Sequence, residues 1–282
     1  MSLRINTNID ALTAYRNLQT TQTSMSTSIE RLSSGLRINK AADDAAGLAI
    51  SQGLTAQING IGQATRNAQD GINVVQTADG ALNETQSILQ RMRTLAVQSA
   101  NDSNDDNSRG DIQKEVTALQ SELDRIATKT TFNNINLLDG SFSGKQFQIG
   151  YAANDTIQVD ISSASGSGAA GFKAADLGVG STQIDLSTQS GAEASISALD
   201  TAIQTVSTAR AGLGALQNRF QHTINNLSVT QENLQASNSS ITDTDMAAEM
   251  SNYTRTQILS QAGTSMLKQA NQAAQSVLAL LQ

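Results

Sequence analysis

The sequence predicts a mainly α-helical chain, in which long antiparallel coiled-coil helices form a rod that carries a small β-hairpin element. Three observations lead there. Apolar residues recur seven apart over two long stretches of the 282 residues. Of eight aromatic residues, five (Phe132, Phe142, Phe147, Tyr151 and Phe172) fall in one segment, so a conventional globular core is expected only there. In that segment the apolar period also changes from 3.6 to 2, the signature of a strand.

The N-terminal stretch places Ile5, Ile9, Leu12, Leu18, Met25, Ile29 and Leu32 on an amphipathic helix. The run LSSGLRINKAADDAAGLAISQGL, Leu32 to Leu54, breaks that pattern without a proline, through Gly35, Gly47 and the paired Asp43 and Asp44. Spacing by seven then resumes at Leu54, Ile61, Ala68, Val75, Leu82, Leu89 and Ala96, with Ile50, Ala64, Ala78 and Met92 at a second position. This predicts a helix of about 50 residues, on the order of 75 Å long. A second helix reads Ile112, Val116, Leu119, Leu123, Ile126. FQIGYAA and TIQVDIS then alternate around Asn154 and Asp155, a predicted hairpin. Residues 163–171 and 178–192 are small, polar and rich in Ser, Thr and Gly, and are expected to form an insertion-tolerant loop region. A third long helix follows through Leu199, Val206, Leu213, Phe220, Leu227, Leu234 and Ile241. The C-terminal stripe is Leu259, Ala262, Met266, Ala270, Ala273, Val277 and Leu280. Narrow seams of this kind are buried only against each other or against other copies.

Composition excludes several function classes. There is no Cys, Pro or Trp, and hydrophobic residues make up 38%. Disulfide frameworks, cysteine-based zinc sites and cysteine nucleophiles are therefore ruled out. Residues 1–40 carry five basic and two acidic groups and residues 246–282 two and one, which leaves an acidic middle within the net charge of −7. That balance argues against nucleic acid as a partner. No apolar run reaches the roughly 20 residues of a membrane span. MSLRINTNIDAL lacks the features of a secretory signal, so export, if it occurs, is expected to use another route.

Candidate chemical sites fail on inspection. GSGAAG at 166–171 satisfies the dinucleotide spacing but feeds only the short FKAAD where a helix is required. The acidic run from Asp102 to Gln113 resembles a calcium loop but has Asn107 where glycine is needed and Gln113 where a bidentate glutamate is needed. It reads better as a turn between helices, with Ser108 and Asp111 spaced as a capping pair. His222 is the only histidine, placed on a helix flank, and it is expected to be a solvated surface residue. No catalytic constellation, metal site or cofactor site is expected. Arg91 and Arg93, with Leu95 expected to be exposed beside them, form a candidate contact surface for another subunit or a receptor.

MSLRINTNIDAL, LSSGLRINKAADDAAGLAIS, QDGINVVQTADGALNETQSILQRMRTLAVQSAN, FNNINLLDG and ITDTDMAAEMSNYTRTQILSQAGTSMLKQANQAAQSVLALL resemble, in order, blocks of the bacterial flagellins. The resemblance covers roughly residues 1–160 and 195–282, and the short 163–192 segment makes this chain similar to a minimal member. It implies inner-core terminal helices at 1–44 and 242–282, coiled together on assembly. An outer-core helical part at 45–241 is implied with them, with the β-hairpin and a variable loop region at about 130–192. The connector between these layers would be built by Gly35, Arg37, Asp43, Asp44 and Gly47, with both glycines relaxing the helix there. Inner-core assembly would rest on Ile5, Ile9, Leu12, Leu259, Met266, Val277 and Leu280.

The resemblance also implies a function and partners. The chain would be a structural subunit, without enzyme activity, polymerising into the extracellular flagellar filament used for swimming. It would pass unfolded through the flagellar export apparatus and assemble at the distal tip, its ends ordering on assembly. Partners would include a cytoplasmic export chaperone over the C-terminal region, the cap and hook-associated proteins, and the vertebrate innate immune receptor for flagellin. For that receptor the matching positions are Arg91, Leu95 and Glu115, with Thr94 departing from the acidic residue of many recognised members. Ser and Thr residues in 162–190 match a region that often carries O-linked glycans. A flagellar hook-filament junction protein is the alternative. An enzyme on a flagellin scaffold would need an inserted catalytic domain for which this chain has no room.

Overall fold

A computed structural model describes residues 8–163 and 170–280, with side chains as far as residue 272. Its element order is α1 (Ile9–Ser34), α2 (Ala45–Ser99), α3 (Asp106–Lys129), β1 (Thr131–Phe132), β2 (Ile135–Asn136), β3 (Lys145–Gln148), β4 (Thr156–Val159), α4 (Gln189–Thr242) and α5 (Met246–Leu280). The protein is mainly helical with small antiparallel strand pairs, as its heptads predict. By contacts the chain divides into two units: residues up to 58 together with those from 232 onward, and Asn59–Gln231. Residues 45–58 and 232–241 thus group with the terminal helices.

In the larger unit the heptad seam of α2 is fully buried from Ile61 through Ala68, Val75, Leu82 and Leu89 to Ala96, as are Leu199, Val206, Leu213 and Phe220 of α4. The two helices run antiparallel, because Asp79 pairs with Arg210 at 2.8 Å and Arg93 pairs with Asp200 at 2.5 Å. Gly71 of α2 has a packing role here. A Cβ on it would lie 2.7 Å from the Phe220 ring, which in turn meets Phe147 of β3 edge to face at 5.8 Å.

α3 is capped by Asp105, whose side chain accepts from the Ser108 amide at 2.9 Å. The expected capping pair of Ser108 and Asp111 is therefore corrected: both lie inside the helix, and the shorter-reaching cap is the aspartate before it. Arg109, almost fully buried, donates to the Asn101 and Asn104 carbonyls and so satisfies the end of the α2–α3 turn. This acidic run is helix-end chemistry. Among the described residues no group of three or more His, Cys, Asp or Glu side chains could hold a metal ion.

The β3–β4 hairpin pairs Lys145 with Val159 and Gln148 with Thr156, with Asn154 in the left-handed region at φ 67°. The paired part of the first strand begins earlier than FQIGYAA suggests, and Ile149 to Asp155 form the turn. A second pair, β1–β2, turns through Asn133 and Asn134 at φ 47° and 61°. The signal was legible in FNNIN, since asparagine is enriched where both turn residues need φ > 0.

Residues 170–188 form loop, as their composition suggests, but not a loop lying wholly at the surface. They are irregular, yet Phe172, Val179, Ile184 and Leu186 are buried in the core of this unit. Buried irregular backbone needs partners, and one face of α3 supplies them. Gln120 Nε2 donates to the Val179 carbonyl at 2.8 Å, Gln113 Oε1 accepts from the Leu186 amide at 2.7 Å, and Asp124 Oδ1 accepts from the Ala174 amide at 2.9 Å. Ser99 at the end of α2 donates to the Leu186 carbonyl at 2.6 Å. Most of GSGAAG lies outside the described residues, but Gly171 at its end abuts the Asp139 backbone. No described helix follows until α4.

Candidate functional site

α1 and α5 pack along their lengths in antiparallel order. Asn8, which caps α1, donates to the Ala270 carbonyl at 2.9 Å, and Ser28 donates to Glu249 at 2.5 Å near the other end. Between them Gly263 sits where a Cβ would approach Leu18 to 3.2 Å, so the backbones come close at that point. The seam mixes small and polar residues, such as Ser28, Glu249 and Gly263, with half-buried apolar ones such as Leu18. Glu249 is almost fully buried, receives the Ser28 hydroxyl and faces Arg31 at 3.7 Å.

The seam consumes little of the apolar surface on either helix. Ile9, Leu12, Leu259 and Met266 are each more than half exposed, and Tyr15, Ile29, Met246, Met250 and Ile258 are exposed with them. The stripe expected through Leu259 and Met266 therefore flanks the α1-facing side of α5. Ile5 lies outside the described residues, as do the side chains of Val277 and Leu280. Exposed apolar side chains in this number distinguish the α1–α5 pair from the buried seams of the larger unit. Ile50, expected on the α2 seam, is also exposed, because it lies in the first turns of the helix, before the buried seam begins.

The connector is a capped turn. Gly35 ends α1 at φ 73°, a left-handed cap that only glycine adopts cheaply. The chain then pairs with the end of α4: the Arg37 amide donates to Thr242 and its guanidinium to the Ile241 carbonyl, both at 2.6 Å, while the Thr244 amide returns a bond to Gly35. Asp43 accepts from the amides of Lys40 and Asn39, and Lys40 pairs with Glu30 at 2.7 Å. Asp44 Oδ1 accepts from the Gly47 amide at 2.9 Å and starts α2. Gly47 relaxes no helix. It is buried in the first turn of α2, where a Cβ would come within 2.7 Å of Ile38 and 2.5 Å of Asp44.

The bonds from the Lys40 and Asn39 amides hold the Asp43 carboxyl below its ordinary range. With a depressed folded pKa, its contribution is full at neutral pH. It declines as pH falls from the ordinary aspartate range towards the lower folded value. Amide exchange at Asn39 and Lys40, followed against pH, is expected to show protection persisting below the range where unperturbed aspartates protonate. In Asp43→Ala that protection should be low at every pH.

On the outer helices Arg91 pairs with Glu115 of α3 at 2.7 Å and Arg93 with Asp200 of α4, all of them exposed. Such surface pairs are screened by solvent and add little to stability. Leu95 is corrected: it is 2% exposed, in the same core cluster as Ile112 and Val116 of α3. Sequence reasoning placed it on the solvent side because it counted only the main α2 seam. α3 covers a second side of α2, which no periodicity within α2 reveals. His222 is exposed on α4, as expected.

No described helix is long and apolar enough to cross a membrane. Residues 5–143 match the bacterial flagellin N-terminal helical region and residues 196–281 the bacterial flagellin C-terminal helical region. The chain is 46% identical to a flagellin of Halalkalibacterium halodurans over 98% of its own length and 99% of that protein. It is 45% identical to a flagellin of Bacillus subtilis over 99% and 100%. It is also 44% identical to a flagellar filament 33 kDa core protein of Treponema phagedenis over 98% and 99%. Among solved structures, the crystal structure of Bacillus cereus flagellin aligns with a TM-score of 0.50 at 34% identity, covering 57% of this chain and 88% of that one. Both terminal regions and nearly full-length relatives agree, and the chain belongs to the bacterial flagellin family, a structural subunit of the flagellar filament.

Proposed function

We propose that this subunit polymerises through its α1–α5 pair, which buries its remaining apolar faces against neighbouring copies in the filament. The observation that supports this is the exposed set Ile9, Leu12, Leu259 and Met266 on the two paired helices. At about 25 cal/mol per Å², apolar area on two helices of this length is a sufficient driving force once many copies share it. The subunit is exported unfolded and adds at the distal tip. The absence of cysteine and proline suits this, since neither disulfide formation nor prolyl isomerisation slows refolding. Before export a cytoplasmic chaperone covers the exposed face of α5, and the cap and hook-associated proteins meet the same ends. The exposed Arg91–Glu115 pair is the surface offered to a neighbouring subunit or to the innate immune receptor, with Leu95 packing beneath it. The near full-length match to flagellins favours the filament over the hook-filament junction.

Electron microscopy under polymerising salt conditions tests the reading. Full-length chain and Ile50→Ala should form filaments, Leu12→Asp or Met266→Asp should shorten them, and Leu12→Asp/Met266→Asp should form none. A chain lacking residues 1–40 and 246–282 should also form none. Circular dichroism should show the Asn59–Gln231 unit folded in every variant. Normal filaments from the double aspartate variant would overturn the proposal.

A further inference from the structure

The chain has no cysteine and no tryptophan, so its methionine thioethers are the side chains most open to a mild two-electron oxidant. The described methionines divide into two groups. Met92 is fully buried in the core and Met25 is half-buried, whereas Met246, Met250 and Met266 are 48%, 50% and 61% exposed. All three exposed ones lie on α5. Met246 and Met250 are one turn apart. By helical spacing they stand on one side of the α1-facing line through Glu249, Gly263 and Ala270, and Met266 stands on the other.

We propose that Met246, Met250 and Met266 form a reversible oxidation site that governs whether a subunit enters the filament. The inference rests on the reading that both exposed flanks of α5 are buried between copies. With hydrogen peroxide as oxidant, the thioether sulfur attacks one peroxide oxygen. The O–O bond breaks as an S–O bond forms, sulfur loses two electrons, and the second oxygen leaves as water. Each event turns a flexible apolar group into a polar sulfoxide, which is costly to bury without a hydrogen-bond donor. The neighbouring exposed Leu259, Ile258 and Leu12 supply no donor, and the Thr254 hydroxyl one turn from Met250 is already engaged with the Met250 carbonyl. Free subunits are then the vulnerable state, and assembled ones are shielded. Methionine sulfoxide reductases, drawing two electrons from a dithiol that becomes a disulfide while the oxygen leaves as water, restore the thioether and with it the capacity to assemble.

The experiment treats full-length monomer with millimolar hydrogen peroxide, maps oxygen uptake by mass spectrometry and follows seeded polymerisation. Met246, Met250 and Met266 are expected to oxidise at least about tenfold faster than Met92. Oxidised subunits should stay in the supernatant, and treatment with reductases acting on both sulfoxide epimers should return them to filaments. Preformed filaments should take up little oxygen at these positions. A Met246→Leu/Met250→Leu/Met266→Leu variant carries no thioether at these positions, so its own untreated rate of polymerisation, whatever its value, should not be lowered by peroxide. Incorporation of oxidised subunits at the untreated rate, or equal inhibition of the leucine variant, would overturn the proposal. If Leu12→Asp/Met266→Asp still abolished filaments in that case, the polymerisation reading would stand without it.

Discussion

Phe220→Ala should cost the Asn59–Gln231 unit about 3–5 kcal/mol, the range for emptying a fully buried aromatic site. Phe220 is fully buried, closes against Gly71 of α2 and meets Phe147 of β3, so it ties two long helices and a hairpin at one point. Urea unfolding followed by far-ultraviolet circular dichroism measures the loss. The same junction makes a second, less intuitive expectation. Gly71→Ala replaces glycine with the best helix former, worth up to about 1 kcal/mol in an open helix. Here the added methyl strikes the ring, so the substitution is expected to destabilise instead. Phe220→Leu/Gly71→Ala should cost less than the two single changes combined, because the smaller side chain admits the methyl. Additive losses would show that the two residues do not share a packing site.

Glu249→Ala is expected to weaken the α1–α5 pair by about 2–3 kcal/mol, through loss of a charged hydrogen bond and of Arg31's partner. Arg31 Nε is already buried without a hydrogen-bond partner, and the side chain as a whole is about two-thirds shielded from water, so its charge has reduced alternative solvation. Glu249→Gln retains an acceptor for Ser28 and loses only the charge, so its effect should fall between the alanine variant and the unaltered chain. The readout is the temperature at which purified filaments dissociate, followed by calorimetry, with amide exchange on α1 and α5 to localise the change. Glu249 is buried and faces the partly shielded Arg31, so this pair is expected to help fix the register of the two helices. Dissociation of the alanine filaments at the unaltered temperature would remove Glu249 from that role.

How far each feature was legible depends on whether its cause is local. The long helices were legible because a seven-residue repeat can bury its apolar face only as a helix. The β3–β4 hairpin was legible because alternation and Asn154 lie within a few residues of each other. The placement of Leu95 was not, because α3 buries a side of α2 that the main α2 heptads leave open. The role of Gly47 was hidden for the same reason: Ile38 reaches it from across the connector. The 170–188 segment reads as loop by composition, and its burial follows from Gln113, Gln120 and Asp124 on α3, polar residues whose backbone partners are about 50 to 70 positions away in sequence.

By itself, then, the sequence determined the helical class, the heptad seams, the break at Gly35 and the family, since each is encoded in residues close along the chain or in long ordered blocks. Only the tertiary structure decided which faces are used within one chain and which are left for another. The α1–α5 seam takes Ser28, Glu249 and Gly263 and leaves Leu12, Leu259 and Met266 in solvent. The physical reason is that an apolar stripe specifies burial without specifying a partner. Close backbone approach at Gly263 and the pairing of buried Glu249 with Arg31 favour this partner within the chain, and the larger apolar side chains stay exposed, open to the assembly proposed above.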